Sequence, residues 1–403
     1  MNTQILHVPG GTITSPVGFQ AGAICAHIKA NDKLDLAILY SERNCSAAGV
    51  FTTNMVKAPS VVLSQKHIRD GIAQAIVVNA GCANACLGEQ GINDTSEIVK
   101  LTAEKLNITP ENVLVASTGV IGIPLPIDNV RQGIQSIKLS GQGGHEMANA
   151  IITTDTRTKE IAVSLEIAQC RITIGGIAKG SGMLCPNLAT MLCFLTTDAA
   201  IESSCLQKIL KKVADDTYNM LNIDGDTSTN DTVICLANGA CDNKIIQDNT
   251  PEAELFQLAL SEVCRFLTRE LARDAEGATK LLEITVENAR NIVDARQAAH
   301  TIAGSSLVKA AVYGSEPNWG RVLAALGRSK VKIQPTKVDI YMTDICVFKN
   351  GCPVYFDPDE INVKLHNKEI AIKVCLNDGT YTATAWGCDL TQEYVIINSS
   401  MIT

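Results

Sequence analysis

The stretch from residue 161 to residue 198 confines the fold more than any other. Segments 161–167 and 171–177 read as paired apolar strands that deliver the chain into a glycine-bearing loop and a further apolar strand. The second segment alternates Ile172, Ile174 and Ile177, with a slip expected at Gly175-Gly176. Residues 178–198 then read AKGSGMLCPNLATMLCFLTTD, with Thr190 opening the next strand. The bond before it joins two small residues, Ala189 and Thr190. A Thr released there would carry a hydroxyl and an α-amine on one residue, a nucleophile with its base attached. An ordinary α-amino pKa of about 7.7 to 8.0 leaves an appreciable neutral fraction near neutral pH, so such an amine can take the hydroxyl proton.

The glycines also invite a phosphate-cradle reading, which the residue order rejects. A P-loop needs Lys directly after the last Gly and Ser or Thr after that Lys; here the order is Lys179-Gly180-Ser181, and no G-x-G-x-x-G turn fits either. Self-cleavage remains: Thr190 Oγ attacks the Ala189 carbonyl, an N-to-O shift forms an ester, and hydrolysis frees the amine. The plainer alternative is a Thr that merely starts a strand.

Along the rest of the chain, residues 35–39 and 75–78 read as buried strands, the second running into NAGCANACLGEQG. Asp94-Thr95-Ser96-Glu97 resembles a capping box for a helix carrying Val99, Ala103 and Leu106 on one face. Residues 112–116 form a strand that runs into Ser117-Thr118-Gly119-Val120-Ile121-Gly122. A strand ending in Thr-Gly can present backbone N–H groups and a hydroxyl to an oxyanion, or simply make a tight turn. Helices are expected over 128–137 and 147–152, followed by Thr153-Thr154-Asp155-Thr156, a cluster suited to capping a turn or binding a polar ligand.

Past Asp198 a helix is expected over 203–219 and a strand over 233–236. The polar run 224–231 between them lacks the Gly at position six and the Glu at position twelve of a calcium loop. A helix over 251–272 leads through RDAEGATK to a strand over 282–286. Residues 305–326 read as strand, turn and helix, and further strands are expected over 338–342, 370–376, 382–386 and 394–397. With no internal repeat and no Gly/Ser-rich linker, two interlocked lobes are expected.

Charge narrows the partners. The formal net charge is -8, the 34 Lys and Arg are scattered, and aromatics make up 4%, which argues against nucleic acid. The segment MNTQILHVPGGTITSPVG has no basic region followed by an apolar core, and no long apolar run occurs, so a cytoplasmic location without membrane contact is expected. Fifteen cysteines without regular spacing argue against a disulfide framework. Cys82 and Cys86 are no zinc-finger half, and His67 and His145 stand alone, so no metal site is expected and the cysteines read as small buried side chains.

KGSGMLCPNLATMLCFLTTDA resembles the cleavage motif of the ornithine acetyltransferase family, also called the bifunctional arginine biosynthesis ArgJ family. AAGVFTTNMVKAPSVVLSQ (47–65), STGVIG, TTDT, DGDTSTNDT, DAEGATK and EPNWGR resemble family motifs in family order, essentially end to end. The resemblance implies a two-lobed α/β sandwich of the DmpA/ArgJ-like type, self-cleaved between Ala189 and Thr190 into an α chain (1–189) and a β chain (190–403), two of each assembling together. It implies Thr190 as nucleophile, Thr118 and Gly119 as oxyanion hole, and Thr153, Lys179, Thr190, Glu276, Asn398 and Thr403 as substrate contacts. Lys179 would meet a substrate carboxylate and Glu276 the ammonium groups.

The implied reaction is ping-pong acetyl transfer from N2-acetylornithine to glutamate without metal or organic cofactor; acetyl-CoA is a possible further acetyl donor. Cys185 before Pro186-Asn187, Leu188 and Ala275 depart from the family pattern, but none removes a reacting group. Two alternatives stand beside this reading: a self-processed aminopeptidase or amidohydrolase of similar fold, and a non-catalytic protein that binds an arginine-pathway metabolite.

Overall fold

Strands buried on both faces occupy the centre of the protein, whose computed structural model describes residues 4–30, 32–167, 169–185 and 191–400. A nine-stranded sheet comprises β1 (Leu6–His7), β2 (Phe19–Ile24), β3 (Leu36–Phe51), β4 (Ile72–Cys82), β5 (Val113–Val120), β6 (Lys159–Ile167), β7 (Cys170–Lys179), β8 (Leu192–Thr197) and β9 (Thr232–Ala237). Its order is β1-β6-β7-β8-β9-β3-β4-β5, with β2 also paired to β3. The pairs β4–β5 and β8–β9 are parallel. Parallel strands need a crossover, which α1 (Pro59–His67) does not supply but α2 (Gly88–Leu106) does for the first pair. After α3 (Ile127–Ser136) and α4 (Gly144–Ile151), α5 (Ser203–Asp216) supplies it for the second.

Successive residues of these strands serve different cores, as the two-residue period requires. Ala37, Leu39, Ile76 and Val78 pack in one cluster with Phe194, Leu192, Ile234 and Leu236, so the two halves of the sheet face one another. The ladder folds over about β3, whose register against β4 shifts between Tyr40 and Cys45. Leu36, Ile38 and Val77 point the other way, against Ile98 of α2 and Ile134 of α3. On the opposite side Leu195, Val233 and Cys235 meet Leu206 and Leu210 of α5 and Phe256, Leu260 and Leu267 of α6 (Pro251–Arg273). The first lobe is thus a helix–sheet–sheet–helix sandwich.

The second lobe is a six-stranded sheet of β10 (Leu281–Ala289), β11 (Asp339–Met342), β12 (Ile345–Lys349), β13 (Cys352–Pro353), β14 (Glu369–Cys375) and β15 (Tyr381–Cys388), ordered β13-β12-β11-β14-β10-β15. It carries α7 (Ile292–Ala303), α8 (Ser306–Tyr313), α9 (Trp319–Gly327) and α10 (Pro358–Leu365), and the chain continues through α11 (Gln392–Ser400). Ile284, Val374 and Trp386 belong to the same buried cluster as Leu260 and Leu267 of α6, so the lobes share one core. The two-lobed α/β expectation holds, and the lobes interlock.

Several local expectations do not hold. The ladder between β6 and β7 runs without a shift through Gly175 and Gly176, paired to Ala162 and Ile161, so no bulge forms there. Helix α2 starts at Gly88, and Asp94 to Glu97 lie inside it; Thr95 Oγ1 bonds back to the Gly91 carbonyl at 2.7 Å instead of capping. Residues 305–326 hold two helices and no strand, because the Ser305 side chain accepts from Val308 N–H and the Asn318 side chain from Arg321 N–H, capping both. Residues 394–397 belong to α11: Thr391 Oγ1 accepts the Tyr394 N–H at 3.2 Å, and the apolar run YVII turns helical after that cap.

Candidate active site

The mouth of the sandwich is where strand ends from its two layers meet. Strand β5 brings Thr118 and Gly119 from one layer and β7 brings Lys179 from the other. Lys179 is 3% exposed, and its Nζ donates to Thr153 Oγ1 at 2.8 Å and Thr118 Oγ1 at 3.2 Å. Burial pulls its pKa below the usual lysine value, while the Asp155 and Glu276 carboxylates oppose that pull. Three of the residues singled out in the sequence are therefore one hydrogen-bonded group.

Gly119 is required where it stands. Its φ is +125°, and a Cβ there would lie 2.3 Å from the Gly81 carbonyl carbon. The tight approach comes from the parallel pairing of β4 and β5, which becomes irregular at Gly81 and Cys82. Asn230 ties the same two strand ends together, its Nδ2 donating to the Ala83 carbonyl at 2.8 Å and the Ser117 carbonyl at 2.9 Å.

Glu276 closes the opposite wall. Its Oε1 accepts from Thr154 Oγ1 at 2.7 Å and its Oε2 from Asn398 Nδ2 at 2.9 Å, while its N–H bonds the Ser181 carbonyl at 2.9 Å. A Cβ on Gly182 would sit 2.4 Å from Glu276 Oε2, so the glycine lets the loop pass beneath the carboxylate. Between these walls lies a cavity of about 520 Å³ lined by Thr118, Gly119, Thr153, Lys179, Glu276 and Asn398 among others. Ala189, Thr190 and Thr403 lie outside the described residues.

Behind Lys179 sits a buried charge cluster. Lys159, with a fully buried side chain, bridges Asp155 Oδ1 and Asp274 Oδ2, each at 2.6 Å. Asp155 also accepts the Gly180 N–H at 2.7 Å and the Thr153 N–H at 3.0 Å, fixing both neighbours of the Lys179 group. Burial alone would raise the Asp155 pKa; the Lys179 and Lys159 ammoniums and the Gly180 N–H outweigh it and bring it to about 2. The TTDT cluster thus does more than cap a turn: Thr153, Thr154 and Asp155 all serve the site.

The chain on either side of the expected scissile bond is held by two aspartates. Asp224 accepts the Met183 and Leu184 N–H groups at 2.5 and 2.9 Å, and Asp231 Oδ1 accepts the Met191 N–H at 2.9 Å. Sequence reading missed Lys159, Asp224, Asn230 and Asp231 as site residues. For the last three the available signal was a dense polar run directly before an apolar strand; Lys159 showed none, since a charged residue in a strand gives no sign of the partners that bury it.

A sequence profile of the ArgJ family matches residues 20–403. The chain belongs to the ArgJ family. The arginine biosynthesis bifunctional protein ArgJ of Dehalococcoides mccartyi is 50% identical over 405 residues, 100% of each chain. That of Symbiobacterium thermophilum is 50% identical over 397 residues, 98% of this chain and 99% of its own. The crystal structure of ArgJ from Bacillus halodurans is 40% identical with a TM-score of 0.50, covering 51% of this chain and 97% of that one. ArgJ membership accounts for the two-lobed α/β architecture and makes the protein an enzyme of arginine biosynthesis.

Elsewhere, Cys25 Sγ, His27 Nδ1 and an Asp32 oxygen lie within 4.8 Å of one another on the surface, the only such trio of metal-type donors among the described residues. All fifteen cysteines are free, and burial pushes the thiols of Cys45 and Cys264 up to about 12, which leaves them protonated packing groups. Among the described residues no helix is long and apolar enough to cross a membrane.

Proposed function

We propose that the protein transfers the acetyl group of N2-acetylornithine to the α-amine of glutamate through an acetyl ester on Thr190, after cutting itself between Ala189 and Thr190. The observation that carries this reading is the Lys179 group: a buried ammonium held by the Thr118 and Thr153 hydroxyls beside Gly119, in the cavity that Glu276 closes. The resemblance of the flanking sequence to a self-cleavage motif supplies the nucleophile.

In the first half-reaction Thr190 Oγ forms a bond to the acetyl carbonyl carbon while its own α-amine accepts the hydroxyl proton. The Gly119 N–H and Thr118 hydroxyl take up the charge on the carbonyl oxygen. As the amide C–N bond breaks, the proton passes to the departing N2 of ornithine. Glutamate then attacks the ester with its neutral α-amine, the same amine relays the proton back to Oγ, and acetylglutamate leaves. Glu276 and Asn398 receive the ammonium of ornithine, and Lys179, with Thr153, faces the substrate carboxylate. Thr403 extends this set from the chain terminus.

No metal or organic cofactor takes part in this scheme. The relatives are named bifunctional, which suits acetyl-CoA as a second acetyl donor to the same ester. Self-cleavage yields α (1–189) and β (190–403) chains that assemble in pairs in the cytoplasm. A solved ArgJ chain matched over 97% of its length by 51% of this one is what a cleaved half would give.

Two measurements test the reading. Intact mass of the purified protein is expected to give two fragments, the second beginning at Thr190, and Thr190→Ala is expected to give one. Incubation with acetylornithine, with and without glutamate, is expected to release ornithine in proportion to acetylglutamate formed. Ornithine release indifferent to glutamate identifies a hydrolase and sinks the transferase.

A further inference from the structure

The cavity is charged unevenly. Among its described lining residues the only carboxylate is that of Glu276, while three lysines, Lys29, Lys33 and Lys179, bring positive charge. Lys179 is held by Thr118 and Thr153, and Lys33 is exposed. Lys29 is half-buried and built in: its Nζ donates to the Leu34 carbonyl and to the Ala150 carbonyl, each at 2.8 Å. Ala150 lies in the last turn of α4, where helix carbonyls favour a cation. Three residues on, Thr153 holds Lys179, so both ammoniums hang on one short segment.

The backbone behind Lys29 is equally fixed. Asp35, 1% exposed, accepts the Ala26, Ile28 and Lys29 N–H groups at 2.6, 2.6 and 3.0 Å. The stem of Lys29 crosses Gly81, where a Cβ would lie 3.0 Å from Lys29 Cγ, and Gly81 is the residue against which Gly119 packs. Lys29 thus enters the cavity beside the Thr118-Gly119 end of β5. An ammonium has three N–H groups; two of these meet carbonyls, and the third has no partner among the described residues. Burial brings the Lys29 pKa down to about 8, against the pull of the Asp35 carboxylate and with a push from the Lys179 ammonium. Lys29 therefore stays largely protonated at neutral pH, and an anion beside it would reinforce its charge.

The two amino-acid substrates of the proposed transfer agree around the α-carbon and differ at the far end. Ornithine ends in an ammonium, which suits Glu276; glutamate ends in a carboxylate, which Glu276 would repel. Both must bring the α-nitrogen to the same acetyl carbonyl, so their side chains leave from one point and part by rotation about their own bonds. Glutamate then needs a second cation, because Lys179 is taken by the α-carboxylate. We propose that Lys29 receives the side-chain carboxylate of glutamate, so that the cavity forks beyond the α-carbon into an acidic branch at Glu276 and a basic branch at Lys29. This deepens the transfer reading above and rests on it. Lys29 is a better anchor than the exposed Lys33, because an ammonium already fixed by two carbonyls loses little freedom on binding. No bond is made or broken there; Lys29 selects the acceptor.

The test uses the full chain carrying Lys29→Met, which keeps the stem and removes the charge. Two rates are read: acetyl-enzyme formation, as the burst of ornithine released from acetylornithine without glutamate, and kcat/KM for glutamate in the complete reaction. The first is expected to stay within threefold of wild type. The second is expected to fall at least tenfold, the scale of one hydrogen bond between charged groups, with the loss in KM. Lys29→Arg, which restores the charge, is expected to recover part of it. The proposal is overturned unless the loss in kcat/KM exceeds the loss in acetyl-enzyme formation by tenfold or more; a parallel loss of both would make Lys29 a support for the strand ends.

If Lys29→Met does not fold, a crystal structure of the wild-type enzyme with acetylglutamate decides instead. A side-chain carboxylate oxygen within about 3.5 Å of Lys29 Nζ supports the assignment. Any greater separation, whether the carboxylate sits at Lys33, at Asn398 or in solvent, overturns it. Wild type that shows no ornithine burst, or that releases ornithine indifferently to glutamate, overturns the underlying reading whichever residue stands at 29. The present inference fails alone when wild type transfers to glutamate and Lys29→Met does so equally well.

Discussion

Asn398 donates its side-chain amide to Glu276 Oε2 across 2.9 Å, so the last helix of the chain completes the wall of a cavity built by residues far earlier. Helix α11 buries none of its described residues, and Val395 and Ile396 are exposed on it. What it contributes is therefore contact with the site and little stability. Asn398→Ala is expected to lower kcat/KM for acetylornithine about tenfold, the scale of one hydrogen bond to a charged group. Tm should move by less than about 2 °C. Steady-state kinetics and a thermal melt on the same preparation check both.

Gly119→Ala is expected to disable the oxyanion pocket proposed above. A methyl at a φ of +125° placed 2.3 Å from the Gly81 carbonyl carbon must push β5 away from β4. Loss of a single oxyanion donor costs on the order of 10²- to 10³-fold in rate, and kcat should fall by at least that much. Thr118→Val, which keeps the shape and removes the hydroxyl, should reproduce the kinetic loss with a smaller change in Tm.

Lys159→Met leaves the Asp155 and Asp274 carboxylates buried without their bridging ammonium. Breaking such a group typically destabilises by about 3–5 kcal/mol, and urea denaturation should show a loss of unfolding free energy of that order. Activity should fall with it, because Asp155 also holds the Gly180 and Thr153 N–H groups beside Lys179.

The pH dependence of stability follows from Asp155. Its folded pKa of about 2 lies below the ordinary carboxylate value, so its contribution is fully present above the unfolded pKa and is lost as pH falls through the folded one. A shift from 3.8 to about 2 corresponds to about 2 kcal/mol at neutral pH. Asp155→Asn should therefore be less stable than wild type at pH 7, with the gap closing between about pH 4 and pH 2. Denaturant melts of both proteins across that range measure it.

The strands buried on both faces were legible in the sequence because they leave continuous apolar runs such as Met191 to Leu195, and α6 was legible from its apolar spacing after Pro251. The helix over 392–400 was not, since YVII carries a strand's composition and the deciding feature is one hydroxyl, Thr391, capping the Tyr394 N–H. At the site, Thr118, Gly119, Thr153, Lys179 and Glu276 came from motif resemblance, and the structure brings them into one cavity. Asn230 and Asp231 escaped notice because their importance is relational: Asn230 matters for joining Ala83 to Ser117, and Asp231 for the backbone nitrogen it holds 40 residues earlier. A pattern within one segment of chain cannot display a partner in another.

The strand order has a consequence for a chain cut between residues 189 and 190. Read across the sheet, β6 and β7 come from before the cut, β8 and β9 from after it, and β3, β4 and β5 from before it again. The later piece is threaded between two parts of the earlier one, so neither fragment owns the whole nine-stranded sheet and each would expose unpaired strand edges alone. Severing the bond would thus end covalent continuity without creating a separable subunit. The two polypeptides would be synthesised as one, fold as one, and survive only as an inseparable pair.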